Sequence, residues 1–211
     1  MQRRDILQGL GFGGLLALLA PPALAGVQGC EGDGTPLQFM PRTTPDPEPL
    51  VDELAKYPRC PYCGMDRTQW HHSRHLVHYD DGRVDATCSI HCTAISLAIN
   101  MDLGPKAIYA ADFGSESAIK PLIDVSTAIY LIGSELPGTM SARSKMAFAE
   151  LAILERALAA HGGERGDFDA ALLAAYHDMA EDTIRIRQRR AERRARAQHH
   201  APDHEHTPHH H

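Results

Sequence analysis

Cys60-Pro61-Tyr62-Cys63-Gly64-Met65 places two thiols and a thioether within six residues, and Cys88 and Cys92 bracket Ser89-Ile90-His91. Apart from Cys30, these are all the cysteines of the chain. Thiolate and thioether ligands select soft and borderline metals, Cu(I) and zinc, over hard cations. In C-x-x-C a tight turn brings both thiols to one ion, and Gly64 lets the backbone close around it. Met65 adds a neutral soft donor that suits Cu(I) and has little use in a zinc site. His91, between the second pair, is a further ligand candidate.

Three chemistries are open to these residues. Cys60, Cys63, Cys88 and Cys92 could form a structural zinc site. Cys-Pro-Tyr-Cys also matches the active site of glutaredoxins, though there the motif follows a strand and opens a helix, whereas a Pro-rich stretch precedes it here. The third chemistry is a transferable Cu(I) site, in which binding is tight but exchangeable.

The elements that must position the thiols can be read around them. Arg74–Tyr79, Asp80-Asp81-Gly82 and Arg83–Thr87 spell a β-hairpin with a Gly-bearing turn. Ser89 is expected to cap a helix running to Met101, stopped by Gly104-Pro105. Cys88 and Cys92 then stand at i and i+4 and share a face. A knuckle, a hairpin and a helix start carrying the second pair make a small treble-clef-like α+β domain. Further strands are expected at Ala107–Ala111 and Ser126–Ile132. Ser144–Ala160 reads as an amphipathic helix closed by Gly162-Gly163, and Phe168–Met179 as a long C-terminal helix continuing towards Ala197. His75 and His78, at i and i+3 of a strand, point to opposite faces, so at most one meets the sulfur. His71 and His72 fall in a loop, and Trp70 reads as packing that shields the thiols.

The chain of 211 residues accommodates one ordinary domain with appendages. Residues 30–182 carry 12 Lys/Arg against 23 Asp/Glu, and residues 183–211 carry 7 Arg against 3 acids. An acidic body with a basic tail argues against a nucleic-acid binder, whose basic surface would lie on the folded domain. No nucleophile–base pairing or phosphate loop accompanies the thiols, so no catalysis is expected.

Residues 1–29 have the form of an export signal: Arg3-Arg4, an apolar run from Gly9 to Ala20, and small residues at the end. The paired arginines fit the twin-arginine signature. Ala23-Leu24-Ala25 offers one cleavage site. Val27-Gln28-Gly29-Cys30 resembles a lipobox, and lipidation at Cys30 is the expectation. Residues 30–49, rich in Pro and Gly, read as a tether, 50–180 as the metal-binding domain, and 181–198 as an Arg-rich helical arm. The tail from 199 to 211 holds His199, His200, His204, His206, His209, His210 and His211, an auxiliary metal-collecting tract.

Cys60–Met65 with its hairpin, Ala128-Ile129-Tyr130-Leu131-Ile132-Gly133-Ser134, Pro137-Gly138-Thr139-Met140 and the stretch from Phe148 to His161-Gly162-Gly163 together resemble the NosL family of accessory proteins to nitrous oxide reductase. The resemblance covers roughly residues 57–178. It implies a bacterial periplasmic, membrane-anchored Cu(I) metallochaperone. Its partners would be a copper donor and a copper-receiving enzyme, nitrous oxide reductase. Residue by residue it points to Cys63 and Met65 as ligands, with Met140 and Cys60 next. The Cys88/Cys92 pair departs from the family pattern and could complete a four-thiol site.

Overall fold

The computed structural model describes residues 43–199; the expected export signal, Cys30, most of the expected tether and the histidines from His200 onward lie outside the described residues. The elements run α1 (Glu53–Lys56), β1 (His75–Tyr79), β2 (Val84–Thr87), α2 (Ile90–Ile99), β3 (Pro105–Ala111), β4 (Leu122–Asp124), β5 (Ile129–Ile132), β6 (Lys145–Phe148), α3 (Leu151–His161), β7 (Glu164–Gly166) and α4 (Phe168–His199). This is an α+β architecture with two antiparallel sheets, of order β2-β1-β3-β4 and β6-β5-β7.

The hairpin forms where expected, with His75 opposite Thr87 and His78 opposite Val84. Its two faces serve different cores. Val77 and Tyr79 enter the main core with Ile90 and Ala94 of α2, Tyr130 and Ile132 of β5, and Ala171 and Ala175 of α4. Leu76, Val84 and Ala86 pack on the opposite face against Tyr57, Tyr109 and Leu122. Alternation survives as direction even though every residue of β1 is buried. Residues 43–49 lie along the hairpin: Asp46 N–H donates to the Gly82 carbonyl at 2.8 Å, and Thr43 Oγ1 to that of Val84 at 2.9 Å.

The segment Ser144–Ala160 is not one helix. Lys145–Phe148 forms β6, paired in register with β5 (Leu131 opposite Met146), and the helix begins only at Leu151. All four residues of β6 are buried: Ala147 faces the main core, while Met146 and Phe148 join Leu131 and Leu154 in a second core under α3. The Ser126–Ile132 strand shortens to Ile129–Ile132, and α2 ends at Ile99. The sheets are joined where Phe113 N–H donates to the Ala147 carbonyl at 2.7 Å. A second joint is His75 Nε2, 3.0 Å from the Tyr130 hydroxyl. Among the described residues no helix is long and apolar enough to cross a membrane.

Candidate metal centre

The knuckle is closed by its own backbone. Cys60 N–H donates to the Met65 carbonyl at 3.0 Å and Gly64 N–H to the Cys60 carbonyl at 2.9 Å. Gly64 takes φ 75°, a left-handed conformation that glycine adopts without cost. Beneath it lies the fully buried Arg67. Its guanidinium donates to the carbonyls of Tyr57 (2.7 Å), Thr87 (3.2 Å) and His75 (3.3 Å), tying the approach to the knuckle to both hairpin strands. Glu53 neutralises Arg67 at 2.8 Å and Arg74 at 2.7 Å. On the other side, Tyr62 donates its hydroxyl to Asp85 Oδ2, which also accepts from Ser96 Oγ of α2 at 2.7 Å. The residue between the first two cysteines is thereby pinned to β2 and α2.

Cys88 follows β2 directly, and Ser73 Oγ donates to its carbonyl at 2.9 Å. It precedes α2 rather than standing on it. Ser89 occupies the N-cap position with an extended backbone and makes no capping hydrogen bond through its side chain. The expected i, i+4 pairing on one helix face therefore does not hold. Cys92 comes from the first turn of α2, Cys88 from the strand end, and the two sulfurs still meet at 3.8 Å.

All four thiols are free, and their Sγ atoms lie within 4.8 Å of one another. Cys63 and Cys88 approach to 3.4 Å. Four sulfurs bound at about 2.3 Å around one tetrahedral ion are separated by about 3.8 Å, so the donor set fits a single metal. Cys60, Cys88 and Cys92 are at most 2% exposed, whereas Cys63 is half-buried. Tyr62, Met65 and Trp70 pack against the cluster as its apolar rim.

This enclosure favours a thiolate among its thiols. Hydrogen bonds from Cys88 and Cys92, with smaller ones from the Cys63 and Tyr62 backbone, hold the Cys60 thiol far below the usual range. The same bonds to Cys60 push Cys88 and Cys92 up. Physically, one thiolate is shared by a ring of thiols that resist losing a second proton until a cation arrives.

His91, on the first turn of α2, is half-buried, and its Nδ1 is buried without a hydrogen-bond partner. Burial lowers its pKa, Lys145 adds to that lowering, and Asp182, Asp178 and Cys60 oppose it. It belongs to the neighbourhood of the thiols but not to the four-sulfur group. Met140 is 40% exposed at φ 66° and lies outside the cluster rim. Its neighbours Thr139 and Ser141 line a cavity of about 10 Å³ together with Ser73 and Ser89, the residue after Cys88. His199 ends α4. His75 is buried with both ring nitrogens engaged, and His78 is buried as well. His71 accepts the Lys120 N–H at 3.2 Å. Trp70, at 5.8 Å from the His72 ring, caps the sulfur as expected.

The supporting residues Arg67, Ser73 and Asp85 were not singled out by spacing. Asp85 alone leaves a trace, since strand alternation places it opposite to Val84 and Ala86. His177, Asp178 and Glu181 also gather ligand atoms within 4.8 Å, but Arg143 (2.7 Å) and the buried Lys145 already neutralise Asp178. The knuckle is followed by a turn and then β1, not by a helix, and its first thiol is sealed. Both features run against a thiol-disulfide oxidoreductase, which needs an accessible attacking thiolate.

A family model described as NosL matches residues 51–172. The crystal structure of the copper chaperone NosL from Shewanella denitrificans aligns at 22% identity and a TM-score of 0.45, covering 53% of this chain and 87% of that one. No curated protein matches the chain.

Proposed function

The chain belongs to the NosL family, and from this and its sulfur cluster we propose that it is a periplasmic Cu(I) metallochaperone rather than an enzyme. In this reading it receives copper from a donor and delivers it to a cuproenzyme, nitrous oxide reductase. A lipid anchor at Cys30 holds it at a membrane. The observation that carries the reading is the asymmetry of the cluster. Three thiols are sealed and the fourth, Cys63, is half-exposed beside Met65. A structural site needs no such opening, whereas a carrier needs a donor that an incoming ligand can reach.

Cu(I) is the cargo, and transfer is ligand exchange. Cys63 and Met65 form the outer donors, and Cys60, Cys88 and Cys92 lie behind them as the sealed thiols. Arg67 and the Tyr62–Asp85 bond keep the knuckle in place while the rim exchanges. His91 and Met140 are accessory donors, and the histidine tract from His199 onward collects metal.

The four convergent thiols also favour a second reading, a closed four-Cys zinc module for protein interaction. Cu(I) titration of the reduced, anaerobically purified protein against a Cu(I)-specific chelator, with metal analysis, separates the two. One Cu(I) whose affinity falls in Met65→Leu supports the carrier. One tightly held zinc, indifferent to Met65→Leu and lost in Cys92→Ser, overturns it. Disulfide reduction abolished by Cys60→Ser would return the oxidoreductase reading. Loading of apo nitrous oxide reductase tests the client.

A further inference from the structure

Helix α4 is half body and half projection. Up to Met179 it packs on α2 and β5, with Ala171 and Ala175 in the main core and the Tyr176 hydroxyl donating to the Ala94 carbonyl at 2.8 Å. From Thr183 to Gln198 every residue is exposed. At 1.5 Å per residue, this stretch reaches about 25 Å from the body. It carries Arg185, Arg187, Arg189, Arg190, Arg193, Arg194 and Arg196 against Glu192 alone.

Such a helix lacks an internal reason to stand alone. It has no packed face, and unpacked helices of this length are marginal in water. Arg185/Arg189, Arg189/Arg193 and Arg190/Arg194 are like-charge pairs at i, i+4, which oppose helix formation. Two acids, Asp182 and Glu192, pair with Arg185 and Arg196. At 100° per residue the arginines cover an arc of about 200°. Ile186 sits at its centre, 45% exposed, and the opposite side presents Ile184, Gln188, Ala191 and Ala195.

We propose that this arm is a docking element for an anionic lipid surface. The body, net −11 over residues 30–182, is repelled by a polyanion, so the arm meets it first. A wide arginine arc with an apolar side chain at its centre suits the boundary between headgroups and acyl chains. There guanidinium groups contact phosphates and the isoleucine enters the less polar layer. The purely charged alternatives, an acidic protein or a nucleic acid, leave Ile186 unexplained. The proposal is independent of what the thiols bind.

The test is sedimentation of the full-length reduced chain with vesicles of phosphatidylcholine alone or with added phosphatidylglycerol, at low and high salt. The apolar N-terminal segment is expected to enter both vesicle types, and Arg3-Arg4 add some anionic preference, so the arm's share is read from what its substitutions remove. The expected result is stronger partitioning onto the anionic vesicles, suppressed by salt. Joint replacement of Arg187, Arg190, Arg193 and Arg194 by Gln, at about 1 kcal/mol for each charge, reduces that increment by about a thousandfold. Equal partitioning on both vesicles, or an increment that survives the four substitutions, overturns the proposal. Retention on polyglutamate or DNA without any anionic-lipid increment also overturns it and assigns the arm to an acidic macromolecule.

Discussion

Acidification of the metal-free protein is expected to destabilise it in part through His75. This ring is 2% exposed, with Nδ1 2.9 Å from the Ser73 carbonyl and Nε2 3.0 Å from the Tyr130 hydroxyl. With Nδ1–H donating to Ser73, Nε2 accepts from Tyr130, and the neutral ring is fully satisfied. Burial, with smaller contributions from Arg67 and Arg74, lowers its pKa from 6.5 to about 4. Between these values the unfolded chain takes up a proton that the folded chain refuses. Stability is therefore intact above the unfolded value and is lost as pH falls from about 6.5 towards 4. At about 1.4 kcal/mol per pH unit the full loss is about 3 kcal/mol, a substantial part of the 5–15 kcal/mol typical of a domain (roughly, by). The assay is urea unfolding followed by fluorescence of the single tryptophan, Trp70, between pH 7 and pH 4.5. Parent and His75→Gln are compared. His71, His72 and His91 shift in the same direction and contribute to both proteins, so the difference isolates His75. The variant is less stable at pH 7, by about 1–3 kcal/mol for the lost partners, but its profile is flatter. Parallel profiles for the two proteins would refute the assignment.

Glu53→Gln leaves the buried guanidiniums of Arg67 and Arg74 without their shared counter-charge. A loss of about 3–5 kcal/mol in denaturant unfolding is expected, and a loss below 1 kcal/mol (roughly the surface-pair value) would sink that reading. Tyr62→Phe removes a hydrogen bond to the buried Asp85 carboxylate, at a cost of about 1.5–3 kcal/mol. It should also free the knuckle, so Cys63 is alkylated faster than in the parent, and an unchanged labelling rate would show that the bond does not restrain it. Gly163 takes φ 98°, and an added Cβ would lie 2.7 Å from the Ile132 carbonyl oxygen. Gly163→Ala is therefore expected to lower stability by about 1–3 kcal/mol, and an unchanged melting temperature would rule the clash out.

The parts of the fold legible in the sequence are those fixed by neighbours along the chain. Asp80-Asp81-Gly82 announced the hairpin, and the apolar spacing from Phe168 announced α4. Lys145-Met146-Ala147-Phe148 shows why locality fails elsewhere. Its residues are buried on both sides by pairing with β5 and by Asp178 on α4, so no alternation marks a strand, and the Ala-rich run after it extends the helical pattern backwards. The sulfur cluster was visible because cysteine is rare in this chain. Its supports were not: the Glu53 pairs span 14 and 21 residues and the Tyr62–Asp85 bond spans 23, separations at which sequence offers no pairing rule. The helix face expected for Cys88 and Cys92 failed because Ser89 is extended. Convergence survived because hydrogen bonds around Cys88 and the knuckle, not helix geometry, bring the sulfurs together.

The four thiols come from three separate pieces of chain: the knuckle, the end of β2 and the first turn of α2. Any ion they hold is therefore a cross-link, spanning 25 residues between Cys63 and Cys88 alone. Occupancy at a thousand times the dissociation constant stabilises such a fold by about 4 kcal/mol, and local openings through which a protease enters become correspondingly rarer. An emptied chain is the perishable one. Under the proposed carrier role, the lifetime of the chain among proteases would then report how recently it was loaded, and release of the ion would start the clock.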